Sequence, residues 1–177
     1  ATPVTVAVLG DSSMTGPGLS RGDLIWIARL ADRLPWRVEV RSHAKGGSRV
    51  RDVLERQLPS AVHDPPDAFV VSIGANDAIH GTPTRTFARQ LEQLLDQLSA
   101  VAPVVSLGIG DLSVIPRLPR TLRPVVARRS AVIDRAHKLV AADRDHVVRV
   151  PVTWPAEAYP GAPAEASNHI PAGTSCV

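Results

Sequence analysis

Cysteine is almost absent from this 177-residue chain. The single Cys176 excludes an internal disulfide framework and leaves no cysteine-rich zinc site. Aromatic residues are also sparse, three Trp, two Phe and one Tyr, so a broad platform for stacking sugars is not expected. Long apolar runs are missing: stretches such as Val4 to Leu9 and Ala68 to Val71 fall far short of the roughly 20 residues a membrane span needs. The protein is therefore expected to be soluble or at most peripheral. Lysine is scarce beside arginine, and the 20 basic residues outnumber the 17 acidic ones by only a formal net charge of +3. Arginine spread in this way fits a codon bias better than a nucleic-acid surface. No G-x-x-x-x-G-K-[ST] phosphate loop occurs. The chain begins at Ala1 with no basic and apolar leader, so a signal peptide is expected to be absent or already removed, and the compartment stays open between cytoplasmic and secreted.

What is present is a globular balance, 44% hydrophobic and 21% charged, at a length suited to one domain spanning 1–177. Strand-like and helix-like segments alternate. Val4 to Leu9 reads as a strand, followed by Leu24, Ile25, Ile27, Ala28, Leu30 and Ala31 at helical spacing up to Pro35. Val38 to Val40 is a second strand, and Val50, Val53, Leu54 and Leu58 give the next helix an apolar stripe that stops before Pro59. Phe69 to Ile73 reads as a buried strand, and Phe87, Leu91, Leu94, Leu95 and Leu98 mark the clearest helical face. Val104 to Ile109, a helix over 125–142 and a strand at Val147 to Val150 complete the series. Such alternation predicts an α/β fold, a three-layer α/β/α sandwich on a flavodoxin-like, five-stranded parallel sheet. Functional residues should then lie at the carboxyl ends of the strands.

Three of those ends carry polar turns. The first delivers Gly10-Asp11-Ser12-Ser13, where a serine hydroxyl can attack if a base removes its proton. The competing reading is a capped turn. The second leads to Gly46-Gly47-Ser48, whose backbone N–H groups suit a developing alkoxide, unless the pair is an ordinary turn. The third ends in Gly74-Ala75-Asn76-Asp77, where Asn76 can donate to an oxyanion or cap the next helix. Convergence of all three at one end of a sheet is what favours chemistry over turns.

These segments resemble the SGNH or GDSL hydrolases, serine esterases and lipases of flavodoxin-like fold. The resemblance covers Val6 to about Val150. VAVLGDSSMTGPG, from Val6 to Gly18, is similar to the first block and implies Ser12 as nucleophile, with its N–H as an oxyanion donor; Ser13 stands where the older family name has leucine. GGSRVRDVL, from Gly46 to Leu54, is similar to the second block and implies Gly47 as the next donor, with Gly46 the lesser choice. VVSIGAND, from Val70 to Asp77, matches the third block and implies Asn76 as the last donor.

The last block departs from the pattern. The histidine base it implies falls on His169, but Ala166 stands where the family has aspartate, and proline comes one residue late. The region from about residue 155 therefore reads as divergent or truncated, with a Pro- and Ala-rich loop from Pro155 to Ala166. Glu165 and Asp111 are weak substitutes for the missing acid, and His80 is the runner-up base. The other four histidines read as surface residues. Arg117, Arg120, Arg123, Arg128, Arg129 and Arg135 read mainly as a solvated face, the competing reading being an anionic substrate or phospholipid surface. Met14, Leu19, Ile115 and Leu118 are candidates for contact with an acyl chain, or simply loop packing. The resulting expectation is a carboxylic ester hydrolase working through an acyl-serine. It needs no metal or organic cofactor, and its partner is a small ester, with lipid esters among the candidates, rather than nucleic acid. Two rivals remain: a non-catalytic binding domain of the same fold, and acyl transfer to an acceptor other than water.

Overall fold

A computed structural model of the chain describes residues 2–15, 26–115, 118–142 and 144–153. Five strands, β1 (Val4–Gly10), β2 (Val38–Ser42), β3 (Ala68–Ser72), β4 (Val104–Leu107) and β5 (Val147–Val150), pair in parallel in the order β2-β1-β3-β4-β5. This is the flavodoxin-like order expected when each strand is followed by a crossover. The register aligns the strand ends in one row: Gly10 pairs with Ser72, Ser72 with Leu107, and Leu107 with Val150. The turns that follow these strands consequently open on one edge.

Alternation of side chains across the sheet produces two cores. Ala7, Leu9, Phe69, Val71 and Val104 pack into the larger one, against α3 (Val50–Asp52), α4 (Leu58–His63), α6 (Thr84–Ser99) and α7 (Arg123–Ala141). Phe87, Leu91, Leu94, Leu95 and Leu98 of α6 are all fully buried there, as their spacing predicts. On the opposite face Val8 and Val70 meet Met14 of α1 (Ser12–Thr15) and Ile27 of α2 (Trp26–Ala31). Helices thus cover both faces of the sheet.

Several boundaries differ from the sequence reading. The strand expected over Val104–Ile109 ends at Leu107, after which the Gly108 N–H still donates to the Val150 carbonyl at 2.8 Å and the Ile109 N–H instead meets Asp134. The helix expected up to Pro35 ends at Ala31, and Leu24 and Ile25 lie outside the described residues. Pro59 does not stop its helix. Between α3 and α4, residues Val53–Gln57 form a wider π turn in which the Leu58 N–H donates to the Val53 carbonyl, five residues back. Pro59 then sits at the start of α4, where a missing N–H leaves no helical bond unmade, and the helix runs on to His63.

Gly10 is where β1 and β3 approach too closely for any side chain. Its φ is +138°, and a Cβ there would lie 2.0 Å from the Ser72 carbonyl oxygen. Gly10→Ala is therefore expected to destabilise the fold by about 3 kcal/mol or more, read from urea unfolding. Unchanged stability would contradict this close approach.

Candidate active site

Ser12 begins α1 directly after β1 and is half-buried, with Asp11 buried beneath it. One oxygen of the Asp11 carboxylate, Oδ1, accepts from both the backbone N–H of Ser13 (2.9 Å) and its hydroxyl (2.8 Å). Asp11 thus caps the turn that presents Ser12. A Cβ placed on Gly46 would come 3.9 Å from the Ser12 Cβ, so the Gly46-Gly47 turn lies against the serine. Gly47 takes φ +80°, which favours glycine there.

Asn76 belongs to α5 (Ala75–Ile79), at the exit of β3. Its Nδ2 donates to the Ser48 carbonyl at 3.0 Å and reaches the Asp11 carboxylate only at 3.5 Å. One amide side chain thereby touches the turns after both other strands. The three segments singled out in the sequence are brought together at one edge of the sheet. Among the described residues, neither the Ser12 N–H nor the Gly47 N–H donates to another group.

Gln57, which the sequence reading passed over, clamps this arrangement from below. Its side-chain oxygen accepts from Gly10 N–H at 2.9 Å, and its amide nitrogen donates to the Gly10 carbonyl at 2.9 Å and to the Ser48 hydroxyl at 3.1 Å. The π turn aims this side chain inward, a device common beside functional sites. Asp77 makes a similar tie by accepting the Val50 N–H at 3.0 Å. Burial raises the Asp11 carboxyl above its ordinary value against the opposing hydrogen bonds from Ser13, and the nearby Asp77 charge adds to the rise. Burial likewise raises Asp77, opposed by the Val50 N–H.

Beside the turns lies a cavity of about 430 Å³ at the ends of β1, β3 and β4. Trp26, Ile73, Leu107, Ile109, Leu112 and Val152 give it mostly apolar walls. A half-buried polar relay fixes one wall. Asp134 Oδ1 accepts from Ile109 N–H at 2.7 Å and from Arg149 Nη2 at 2.6 Å. With its backbone so held, the Ile109 side chain fills the space at Gly74, where a Cβ would lie 2.3 Å from Ile109 Cδ1 and φ is +120°. Gly74 opens the turn that carries Asn76, so the relay bears on the site as well as on the cavity.

His137 completes the relay and corrects the reading of it as a surface residue, because it is fully buried. Arg149 Nε donates to His137 Nδ1 at 3.0 Å, so Nδ1 carries no proton and Nε2–H donates to the Ser106 hydroxyl at 2.9 Å. The signal was present in the sequence: His137 lies four residues beyond buried Ile133 and next to buried Ala136. Burial, helped by the Arg149 charge, lowers its pKa to about 4 from 6.5. Between pH 6.5 and about 4 the unfolded chain takes up a proton that the folded chain refuses, so stability falls as the pH drops through that window. The total is roughly 3 kcal/mol. Urea unfolding of His137→Gln, compared with wild type at pH 7.5 and 4, should show this acid loss reduced by about that amount. Equal losses in the two proteins would contradict the neutral, buried imidazole.

Other expectations fare differently. Asp111 is exposed, and its carboxylate caps the turn Leu112–Val114 by accepting from Ser113 N–H. Nδ1 of His80 hydrogen-bonds the Asn76 carbonyl at 2.8 Å, and the ring opens on a separate cleft with Arg49 and Thr82, whose walls do not include Ser12. Met14 is buried in the smaller core and Ile115 packs on the larger one, so neither lines the cavity, and nor does Leu118. Of the arginine run, Arg120, Arg128 and Arg135 are exposed, while Arg129 donates to the Thr82 carbonyl at 2.7 Å and ties α7 to the loop before α6. His169, Ala166, Glu165, Leu19 and Arg117 lie outside the described residues. Among the described residues no helix is long and apolar enough to cross a membrane, and no three His, Cys, Asp or Glu side chains gather as a metal site.

Comparison with known proteins gives the chain relatives in sequence and in fold. A GDSL-like esterase of Mycobacterium tuberculosis is 31% identical over 139 residues, which is 75% of this chain but 44% of that protein's length. The chain thus spans less than half of its curated relative. Among solved structures, TesA superposes with a TM-score of 0.64 at 27% identity, covering 78% of this chain and 73% of its own. AlinE4, an SGNH-hydrolase family esterase, superposes at 0.70 with 20% identity, covering 99% and 88%, and supports the fold alone. The sequence pattern of the GDSL-like Lipase/Acylhydrolase family matches residues 8–170, a span holding all three strand-end turns and His169. The chain belongs to the GDSL-like Lipase/Acylhydrolase family.

Proposed function

We propose that this protein hydrolyses carboxylic esters through an acyl-serine intermediate on Ser12. The observation that carries the reading is the meeting of Ser12, the Gly46-Gly47 turn and Asn76 at one edge of the sheet, beside an apolar cavity. Family membership and the curated esterase relative support it.

In this reading a base, His169, takes the Ser12 hydroxyl proton as Oγ attacks the ester carbonyl. The carbonyl oxygen becomes an alkoxide held by the Ser12 and Gly47 N–H groups and the second N–H of Asn76. Collapse of this intermediate breaks the ester C–O bond, and the imidazolium returns its proton to the leaving alcohol. Water then repeats the sequence, losing a proton to His169 while its oxygen attacks the acyl carbon, and the carboxylic acid and Ser12 are regenerated. Ala166 stands where the resembling family has its aspartate, and loss of that carboxylate's support for the imidazolium lowers the rate without changing the route. The cavity, whose wall includes Asp11 and Ser13 on either side of Ser12 in the chain, receives the acyl chain.

The test is rapid mixing with p-nitrophenyl butyrate, with products analysed in the presence of added methanol. A burst of p-nitrophenol equal to the enzyme, followed by steady release of butyrate, is the expected result. Butyrate transferred wholly to methanol would instead establish acyl transfer, and no release at all would overturn the reading.

A further inference from the structure

Among the described residues, the polar side chains on the wall of the apolar cavity cluster at Asp11, Ser13 and Ser72, and their chemistry is one-sided. The Ser13 and Ser72 hydroxyls face each other at 2.7 Å on the cavity wall. Their hydrogens can be assigned. With the Asp11 carboxylate ionised, its Oδ1 accepts both the Ser13 backbone N–H at 2.9 Å and the Ser13 hydroxyl at 2.8 Å. Ser13 Oγ then receives the Ser72 hydrogen. The indole N–H of Trp26, also on the cavity wall, donates to the Ser13 carbonyl at 3.1 Å. Among the described residues, every side-chain donor on this wall is therefore engaged within the protein, and the lone pairs that remain, on Ser72, Ser13 and the Asp11 carboxylate, are acceptors. A plain hydrocarbon chain leaves those acceptors dehydrated without a partner.

We infer that the cavity is selective for acyl chains carrying a hydroxyl group near the carbonyl end, which donates to the Ser13–Ser72 pair. Nearness to the carbonyl follows from the chain: Ser13 is next to Ser12, and Ser72 pairs with Gly10, two residues before Ser12. The inference rests on the acyl-serine reading and names its substrate class. A ligand group that only accepts, such as a ketone, meets acceptors with an acceptor and gains nothing.

The experiment compares kcat/KM for p-nitrophenyl esters of butyric, 2-hydroxybutyric, 3-hydroxybutyric and 3-oxobutyric acids, with both enantiomers of the hydroxy acids. Wild type, Ser72→Ala and Ser72→Thr are measured side by side. Dividing each hydroxy-to-plain ratio by that of Ser72→Ala cancels the intrinsic reactivity of the esters. At least one hydroxyacyl ester should keep an advantage of about 2- to 10-fold in wild type after that division, the worth of one partly exposed hydrogen bond. Ser72→Thr should retain it, and the 3-oxo ester should show none. A corrected ratio near one for every hydroxy ester, with butyrate still hydrolysed, overturns the selectivity and leaves the esterase reading standing. Failure to hydrolyse any ester overturns both.

Discussion

Ester turnover is expected to fall by about 10⁴-fold or more in Ser12→Ala, with the fold intact. The size of the loss follows from the number of functions one atom carries: Oγ forms the acyl bond, and no neighbouring group takes its place. Ser13 is the obvious substitute, but its hydroxyl hydrogen is held by Asp11 and its oxygen by Ser72. What remains after the substitution is the oxyanion pocket acting on water. Because Ser12 is half-buried and, among the described residues, its Oγ holds no hydrogen bond while its carbonyl accepts from the Thr15 hydroxyl, the loss of Oγ strands no buried partner there. Urea unfolding should therefore change little, and a rate loss accompanied by equal unfolding of the protein would be a different result. Turnover within tenfold of wild type would remove Ser12 from the mechanism.

Asn76→Ala carries the second large effect, a drop of about 10²- to 10³-fold in kcat with a much smaller change in KM. The split between the two constants is the informative part. An amide that strengthens its hydrogen bond only as the carbonyl oxygen gains charge stabilises the transition state, not the bound ester. The same side chain also donates to the Ser48 carbonyl, so alanine loosens one contact between the turns. Asn76→Asp tests that separately, because an unprotonated carboxylate can neither donate to Ser48 nor hold an alkoxide. It should be at least as inactive as the alanine variant. A loss confined to KM in Asn76→Ala would assign the residue to substrate binding.

Much of this site is legible in the sequence because its parts are local. Each turn directly follows a β-rich run, and a parallel sheet obliges the ends of such runs to gather at one edge. The α6 stripe from Phe87 to Leu98 is legible for the same reason: burial imposes a 3.6-residue period within one segment. What escapes are contacts between distant segments. Gln57 reaches Gly10, 47 positions away, through a π turn that shifts the helical register just before Pro59, and no period records such a shift. Asp134, His137 and Arg149 read as ordinary polar residues on a helix and a strand. Their meaning arises only when β4, β5 and α7 pack, and the Arg149 fork spans His137 and Asp134. The cavity walls escaped too, because the Ile109 N–H meets Asp134 at the end of a run that otherwise reads as a strand.

The central claim is that Ser12 is an activated nucleophile, with His169 as its base. Intact mass after incubation with a fluorophosphonate tests it most directly, on wild type, Ser12→Ala and His169→Ala together. One adduct per wild-type chain, absent from Ser12→Ala and formed far more slowly in His169→Ala, is the predicted result. No adduct on wild type would contradict the account and favour the non-catalytic binding domain to which Ala166 points, and an adduct persisting on Ser12→Ala would place the nucleophile elsewhere.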